Sequence, residues 1–226
     1  MSEKRLHFYG RRKGRSLGKN LSNLMESLLP QVQIHIPEEI LDPASLFNNS
    51  VQEICLEIGF GGGEHLAAQA TQNPHVGFIG VEANINGVAS LLKHVQRENL
   101  QNVRIYHGDI RLLLPKLKPE SISRLFILFP DPWPKKRHLK RRLICPKNLQ
   151  LFHALLTPQG VIRIASDDPS YTDWILTMFK ESPLFRMPSG TEEDWKTPPA
   201  DWHSTRYEQK AKEAGRKPLY IDFKKV

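Results

Sequence analysis

Cysteine is scarce in this chain of 226 residues, with Cys55 and Cys145 the only two. Two thiols build neither a disulfide scaffold nor a cysteine-rich zinc module, and they suit a reducing compartment. No metal site is expected. Long apolar runs are also missing. No stretch approaches the ~18–20 residues of a membrane span. The basic start MSEKRLHFYGRRKGR lacks the apolar segment of a signal peptide. Acidic residues number 24 against 32 Lys and Arg, leaving a formal charge of +8. That excess points to a polyanionic partner, either nucleic acid or an acidic membrane surface. The length suffices to bury one full core. A soluble, cytoplasmic protein is the expectation.

What is present falls into two parts. Residues 1–20 carry Lys4, Arg5, Arg11, Arg12, Lys13, Arg15 and Lys19 against Glu3 alone, with Gly10, Gly14 and Gly18 among them. This reads as a flexible basic arm. Leucines at 17, 21, 24 and 28 predict a short helix that Pro30 ends, and residues 30–50 read as an irregular linker. From Glu53 onward, apolar runs alternate with helical stretches. Strands are predicted at Ile54–Ile58, Val76–Val81, Val103–Tyr106, Arg124–Phe129 and Val161–Ala165. Helices are predicted over Glu64–Ala70, Asn86–Glu98, Ile110–Leu117, Lys147–Leu156 and Pro169–Glu181. Continuous apolar strands separated by helices specify a mostly parallel sheet covered on both faces. A short strand at Phe185–Pro188, a charged helix at Thr205–Ala214 and a last, antiparallel strand at Leu219–Phe223 complete the pattern. The fold class is α/β, a doubly wound Rossmann-like sheet. Its domain spans residues 51–226, after an extension of residues 1–50.

In such a sheet, ligands bind outside the carboxyl ends of the strands. Each of the five main strands has an acidic residue at or just past that end: Glu57, Glu82, Asp109, Asp131 and Asp167. Singly, Asp109 also reads as a helix cap and Glu82 as a loop residue. Asp168 before Pro169 is read as a cap alone. Together the five form an acidic rim, which repels phosphate and suits a cationic or hydroxyl-rich ligand. The turn Gly59-Phe60-Gly61-Gly62-Gly63-Glu64 has glutamate where a dinucleotide fingerprint needs its third glycine. Gly59 and Gly61 still permit close backbone approach. A carboxylate at Glu82 can accept both hydroxyls of a ribose. These features together suit an adenosine cofactor without phosphates, such as S-adenosylmethionine, whose sulfonium is a cation.

Directly after the fourth strand the chain reads KKRHLKRR, from Lys135 to Arg142. Arg137, Lys140, Arg141 and Arg142 are expected to follow an RNA backbone from a loop. No amphipathic apolar face accompanies the charges, so a membrane surface is disfavoured. Trp133 either stacks on a base or wedges the loop against the core.

LEIGFGGG, GVEAN, the HGD turn, LFPDPWPKKRHLKRR, ASDD and STRYEQK together resemble the bacterial tRNA (guanine-N7-)-methyltransferases of the TrmB type, class I enzymes. The likeness runs from about residue 50 to the C-terminus, and the FPDPW-to-KRR block is its most specific part. Two departures are SDD where relatives often carry TDW or TDH, and Arg206-Tyr207 where Lys-Phe is frequent. The resemblance implies that Glu57, Glu82, Asp109 and Asp131 line the cofactor site. Methylation at guanine N7 leaves a cationic base, and Asp131 after the fourth strand is placed to stabilise that charge as the catalytic carboxylate. It implies that Lys135, Asp167 and the segment Thr205, Arg206, Tyr207 and Glu208 contact the substrate nucleotide. It also implies guanine 46 of the tRNA variable loop as target. Neither a protein partner nor a choice between monomer and homodimer follows from it. The competing readings are a methyltransferase for another RNA, a nicotinamide oxidoreductase, and a non-catalytic RNA-binding protein on the same fold.

Overall fold

The computed structural model describes residue 10 and residues 12–36, 38–48 and 51–226. Lys4, Arg5 and Arg11 of the basic arm lie outside the described residues. The elements in chain order begin with helices α1 (Lys19–Ser27) and α2 (Leu29–Val32), then β1 (Glu53–Ile58), α3 (Glu64–Gln72), β2 (Val76–Glu82), α4 (Ile85–Glu98), β3 (Val103–His107) and α5 (Ile110–Leu113). There follow β4 (Ile122–Leu128), α6 (Pro146–Leu155), β5 (Leu156–Ser166), α7 (Pro169–Lys180), β6 (Phe185–Arg186), α8 (Arg206–Glu213) and β7 (Leu219–Lys225).

One seven-stranded sheet runs in the order β3-β2-β1-β4-β5-β7-β6. Strands β1 to β5 are mutually parallel and β7 pairs antiparallel with β5, as the sequence pattern specified. The order reverses between β1 and β4, which places the crevice at the carboxyl ends of those two strands. Both faces are covered. Leu56, Ile127 and Ile164 enter one apolar cluster, while Phe78, Leu91 and Phe126 enter the other. Successive strand residues point to opposite faces, so strands buried on both must be apolar throughout.

Local departures from the expected elements have identifiable causes. The first helix ends at Ser27, as expected, but Pro30 does not end helical structure there. It occupies the first turn of α2, where a missing N–H costs nothing. Pro115 divides the predicted Ile110–Leu117 helix into α5 and a 3₁₀ turn at Leu114–Lys116, because its ring clashes with the carbonyl four residues back. β5 begins at Leu156, well before the expected Val161. Leu156 pairs with Ile122 ahead of a register shift, and Pro158 and Gly160 disguise the extension in the sequence.

The predicted linker is structured over much of its length. Gln33 bridges to Ile105 and Leu41 to Leu117, and Ile34 and Phe47 are buried in the core. Part of the predicted flexible arm is also held. The Ile85 N–H donates to the Arg12 carbonyl at 3.0 Å. The Gly14 N–H donates to Asn86 Oδ1 at 2.8 Å, and Asn86 Nδ2 donates to the Arg15 carbonyl at 2.7 Å. Among the described residues no helix is long and apolar enough to cross a membrane.

Candidate active site

The turn from β1 to α3 begins the site. Gly61 sits at φ +57°, the left-handed region that glycine enters without steric cost. Its N–H donates to Glu82 Oε2 at 2.9 Å. Glu82 Oε1 accepts from the Asn84 N–H at 2.8 Å. The ends of β1 and β2 are thereby tied together through one carboxylate. Burial raises the pKa of Glu82, and the backbone hydrogen bonds oppose that rise. A Cβ on Gly87 would lie 2.3 Å from the Gly61 carbonyl, so glycine is needed for α4 to approach the turn.

Glu57 is buried and its Oε2 lies 2.8 Å from His65 Nδ1, in the first turn of α3. Asp109 caps α5 by accepting from the Arg111 N–H at 3.0 Å, and its carboxylate also pairs with the Arg111 guanidinium. The capping reading of Asp109 is therefore realised. Asp168 likewise caps α7, accepting from the Tyr171 N–H at 2.8 Å. Asp167 pairs with Arg216 Nε at 2.9 Å.

Asp131 differs from the other four rim acids. It is exposed, in a loop running from Phe129 to Pro134 after β4. Phe129 at φ +51° and Trp133 at φ +44° flank it in the left-handed region. Non-glycine residues hold that conformation only where surrounding structure imposes it. Partial desolvation raises the Asp131 pKa above the ordinary aspartate value.

The basic block departs from the expected loop. Lys136–Arg141 forms a 3₁₀ turn. Lys135, Lys136, Arg137 and Lys140 are exposed on it or beside it. Arg141 lies over the Trp133 ring at 4.9 Å from its centroid, and His138 meets the same ring edge-on. Arg142 requires a correction. It is buried, its Nε donates to the Pro132 carbonyl at 2.9 Å, and it stacks on Tyr171 and Trp174. Arg142 is thereby packed into the protein, unlike the exposed Arg137 and Lys140 of the same run.

The late STRYEQK segment is divided in the same way. Thr205 caps α8 by accepting from the Glu208 N–H at 3.1 Å. Glu208 is fully buried and accepts from Trp202 Nε1 at 2.8 Å, the Tyr220 hydroxyl at 2.6 Å and Lys212 Nζ at 2.5 Å. Thr205 and Glu208 therefore look inward and build the segment. Arg206 and Tyr207 look outward over the glycine turn: Arg206 pairs with Glu64 and reaches Ser90, while a Cβ on Gly61 would meet the Tyr207 ring at 3.1 Å. His65 and Trp202, whose rings lie 5.3 Å apart, carry no sequence signal of their contact. Their roles depend on chain segments more than a hundred residues apart, which no local pattern marks.

These residues fit S-adenosylmethionine better than a dinucleotide. Space is open around Gly59, where an added Cβ would meet nothing within 4 Å. The start of α3, where a pyrophosphate would sit, is filled by Glu64 and its ion pair. Among the described residues no group of three or more His, Cys, Asp or Glu is placed to hold a metal ion.

The comparisons agree with this chemistry. A family described as "Putative methyltransferase" matches residues 51–220. A tRNA (guanine-N(7)-)-methyltransferase of Rhodospirillum rubrum is 45% identical over 222 residues, covering 96% of this chain and 87% of that protein. The protein of the same name from Paramagnetospirillum magneticum is 46% identical over 224 residues, covering 98% and 93%. Among solved structures, the 16S rRNA methyltransferase KamB superposes with a TM-score of 0.57 at 16% identity, over 84% of this chain and 95% of that one. That likeness shows the fold alone. On the near-full-length identity, the chain belongs to the tRNA (guanine-N(7)-)-methyltransferase family.

Proposed function

We propose that this protein transfers a methyl group from S-adenosylmethionine to N7 of a guanine in tRNA, guanine 46 of the variable loop by family likeness. The observation that carries the reading is Asp131, held between two left-handed aromatic residues in a constrained loop after β4 and immediately before the basic 3₁₀ turn. The identity to relatives of that name supports the substrate class. The catalytic unit is residues 51–226, acting in the cytoplasm as a monomer or homodimer.

The bound cofactor supplies a methyl group on a sulfonium cation. Glu82 would accept hydrogen bonds from its ribose, Glu57 and Asp109 would line its site, and the Gly59–Gly63 turn would let it approach the backbone. Guanine N7 carries an in-plane lone pair and no proton to lose. The protein therefore needs in-line positioning more than a general base. The methylated base is a cation, and Asp131 stabilises that developing charge from a partly desolvated position. Lys135 and the outward Arg206 and Tyr207 would hold the target nucleotide, with Asp167 beside them. Arg137, Lys140 and Arg141 would meet the RNA backbone.

Incubation with labelled S-adenosylmethionine and unmodified tRNA, followed by nucleoside analysis, tests the reading. Label in 7-methylguanosine is the expected result. Label in another nucleoside, or none, overturns it.

A further inference from the structure

We propose that Arg142 is a positioning residue for the Asp131 loop. The inference rests on the reading that Asp131 acts at the substrate, and it assigns Arg142 a task distinct from its basic neighbours. The loop contains Pro130, Pro132 and Pro134, three residues with no backbone N–H to donate. It is anchored at its start, where the Phe129 N–H donates to the Ala165 carbonyl at 2.8 Å. Beyond that point it turns through two left-handed aromatic residues on either side of Asp131. A chain segment this poor in donors needs an outside donor to hold its carbonyls. Arg142 Nε supplies one to Pro132, the residue next to Asp131, at 2.9 Å.

The arginine itself is fixed from behind. Its guanidinium carbon lies 4.9 Å from the Tyr171 ring centroid and 5.0 Å from that of Trp174. Both rings belong to α7 and are themselves anchored. Trp174 Nε1 donates to the Ile144 carbonyl at 2.8 Å, and Tyr171 is fully buried with its hydroxyl 3.4 Å from the Ile144 N–H. Among the described residues no carboxylate forms an ion pair with Arg142, whereas the similarly buried Arg163 has both Asp201 and Asp222. Arg142 is thus held by two ring faces and gives its Nε–H to the loop. A planar guanidinium stacks and donates at once, which a lysine ammonium does not reproduce.

The test compares Arg142→Lys, Trp174→Leu, Asp131→Ala and the double variant Asp131→Ala/Arg142→Lys in melting, tRNA binding at several salt concentrations and single-turnover methylation. Arg142→Lys is expected to lower the rate at saturating tRNA and cofactor by on the order of 10–100-fold, the scale of a misplaced catalytic group. Its tRNA affinity and salt slope stay within twofold of the parent. Trp174→Leu changes the rate in the same direction. The double variant is no slower than Asp131→Ala, because Arg142 acts only through that loop. A normal saturated rate in folded Arg142→Lys overturns the proposal, as does a salt slope lowered by about one unit, which marks a phosphate contact. If Arg142→Lys does not fold, Trp174→Leu decides: a normal rate there overturns the proposal. Full activity in Asp131→Ala would instead remove the reading on which the proposal rests.

Discussion

Arg206 forms an ion pair with Glu64 across 142 positions of sequence, laying the start of α8 over the glycine turn. Glu64 stands where a dinucleotide site needs glycine, and the pair fills the space a pyrophosphate would take. The same contact brings Tyr207 against Gly61. The outward-facing part of the late segment is therefore adjacent to the proposed cofactor turn.

The Arg206–Glu64 pair is partly solvated, and such pairs contribute about 0–1 kcal/mol. Arg206→Gln and Glu64→Gln are each expected to change unfolding free energy by less than about 1 kcal/mol, measured by urea titration. A larger loss would show that the pair holds α8 in place.

Asp131→Ala is expected to lower turnover by about 10²–10³-fold, the scale of one lost electrostatic stabiliser, with the melting temperature retained. Desolvation raises the Asp131 pKa, so the charged form is lost as pH falls through a value above the ordinary 3.8. Activity should decline on that acid limb, and Asp131→Asn should abolish the limb. A pH–rate profile of single turnovers reads both, and an unchanged limb in Asp131→Asn assigns it to another group.

Glu82→Ala leaves the Gly61 and Asn84 N–H groups without their acceptor and removes the proposed ribose contact. Cofactor affinity should weaken by about 1–3 kcal/mol, with tRNA affinity unchanged. Calorimetry at constant salt provides the measurement, and unaltered cofactor binding would return Glu82 to a purely structural tie between strands.

Arg137 and Lys140 are exposed on the 3₁₀ turn. Replacing each with alanine should lower the salt slope of tRNA binding by up to about one unit, since each phosphate contact releases condensed counterions. Lys135→Ala should cost turnover more than affinity. Filter binding at several salt concentrations separates the two, and unchanged slopes would make the turn an ordinary solvated surface.

Glu208 carries the clearest pH signature for stability. Burial works to raise its pKa, and hydrogen bonds from Lys212, Tyr220 and Trp202 outweigh that, leaving it at about 2 against an ordinary 4.5. A depressed carboxylate stabilises the fold above its unfolded pKa, and that contribution fades as pH falls from about 4.5 to about 2. Glu208→Gln should lose on the order of 2 kcal/mol at neutral pH and flatten this part of the curve. Denaturant titrations at a series of pH values test it; parallel curves for parent and variant would refute it.

The amino-acid sequence by itself determined the sheet, its parallel strands and the antiparallel β7, because alternation of apolar runs with helical spacing is written over neighbouring residues. It also placed Asp131 after β4, and Asp168 as a cap before Pro169. Glu57, Glu82, Asp109 and Asp167 were legible as one carboxyl edge for the same reason, since each ends or follows a strand. Only the tertiary structure decided what each of these groups touches. Glu82 binds two backbone N–H groups, Asp109 is shared with Arg111, and Glu208 turns inward to Trp202 and Tyr220. Arg142 looks in sequence like one more cation in a run, and it is the position of α7 that buries it. A charge run specifies composition, whereas burial depends on which ring faces pack around each guanidinium, and those faces come from residues 29 and 32 positions away.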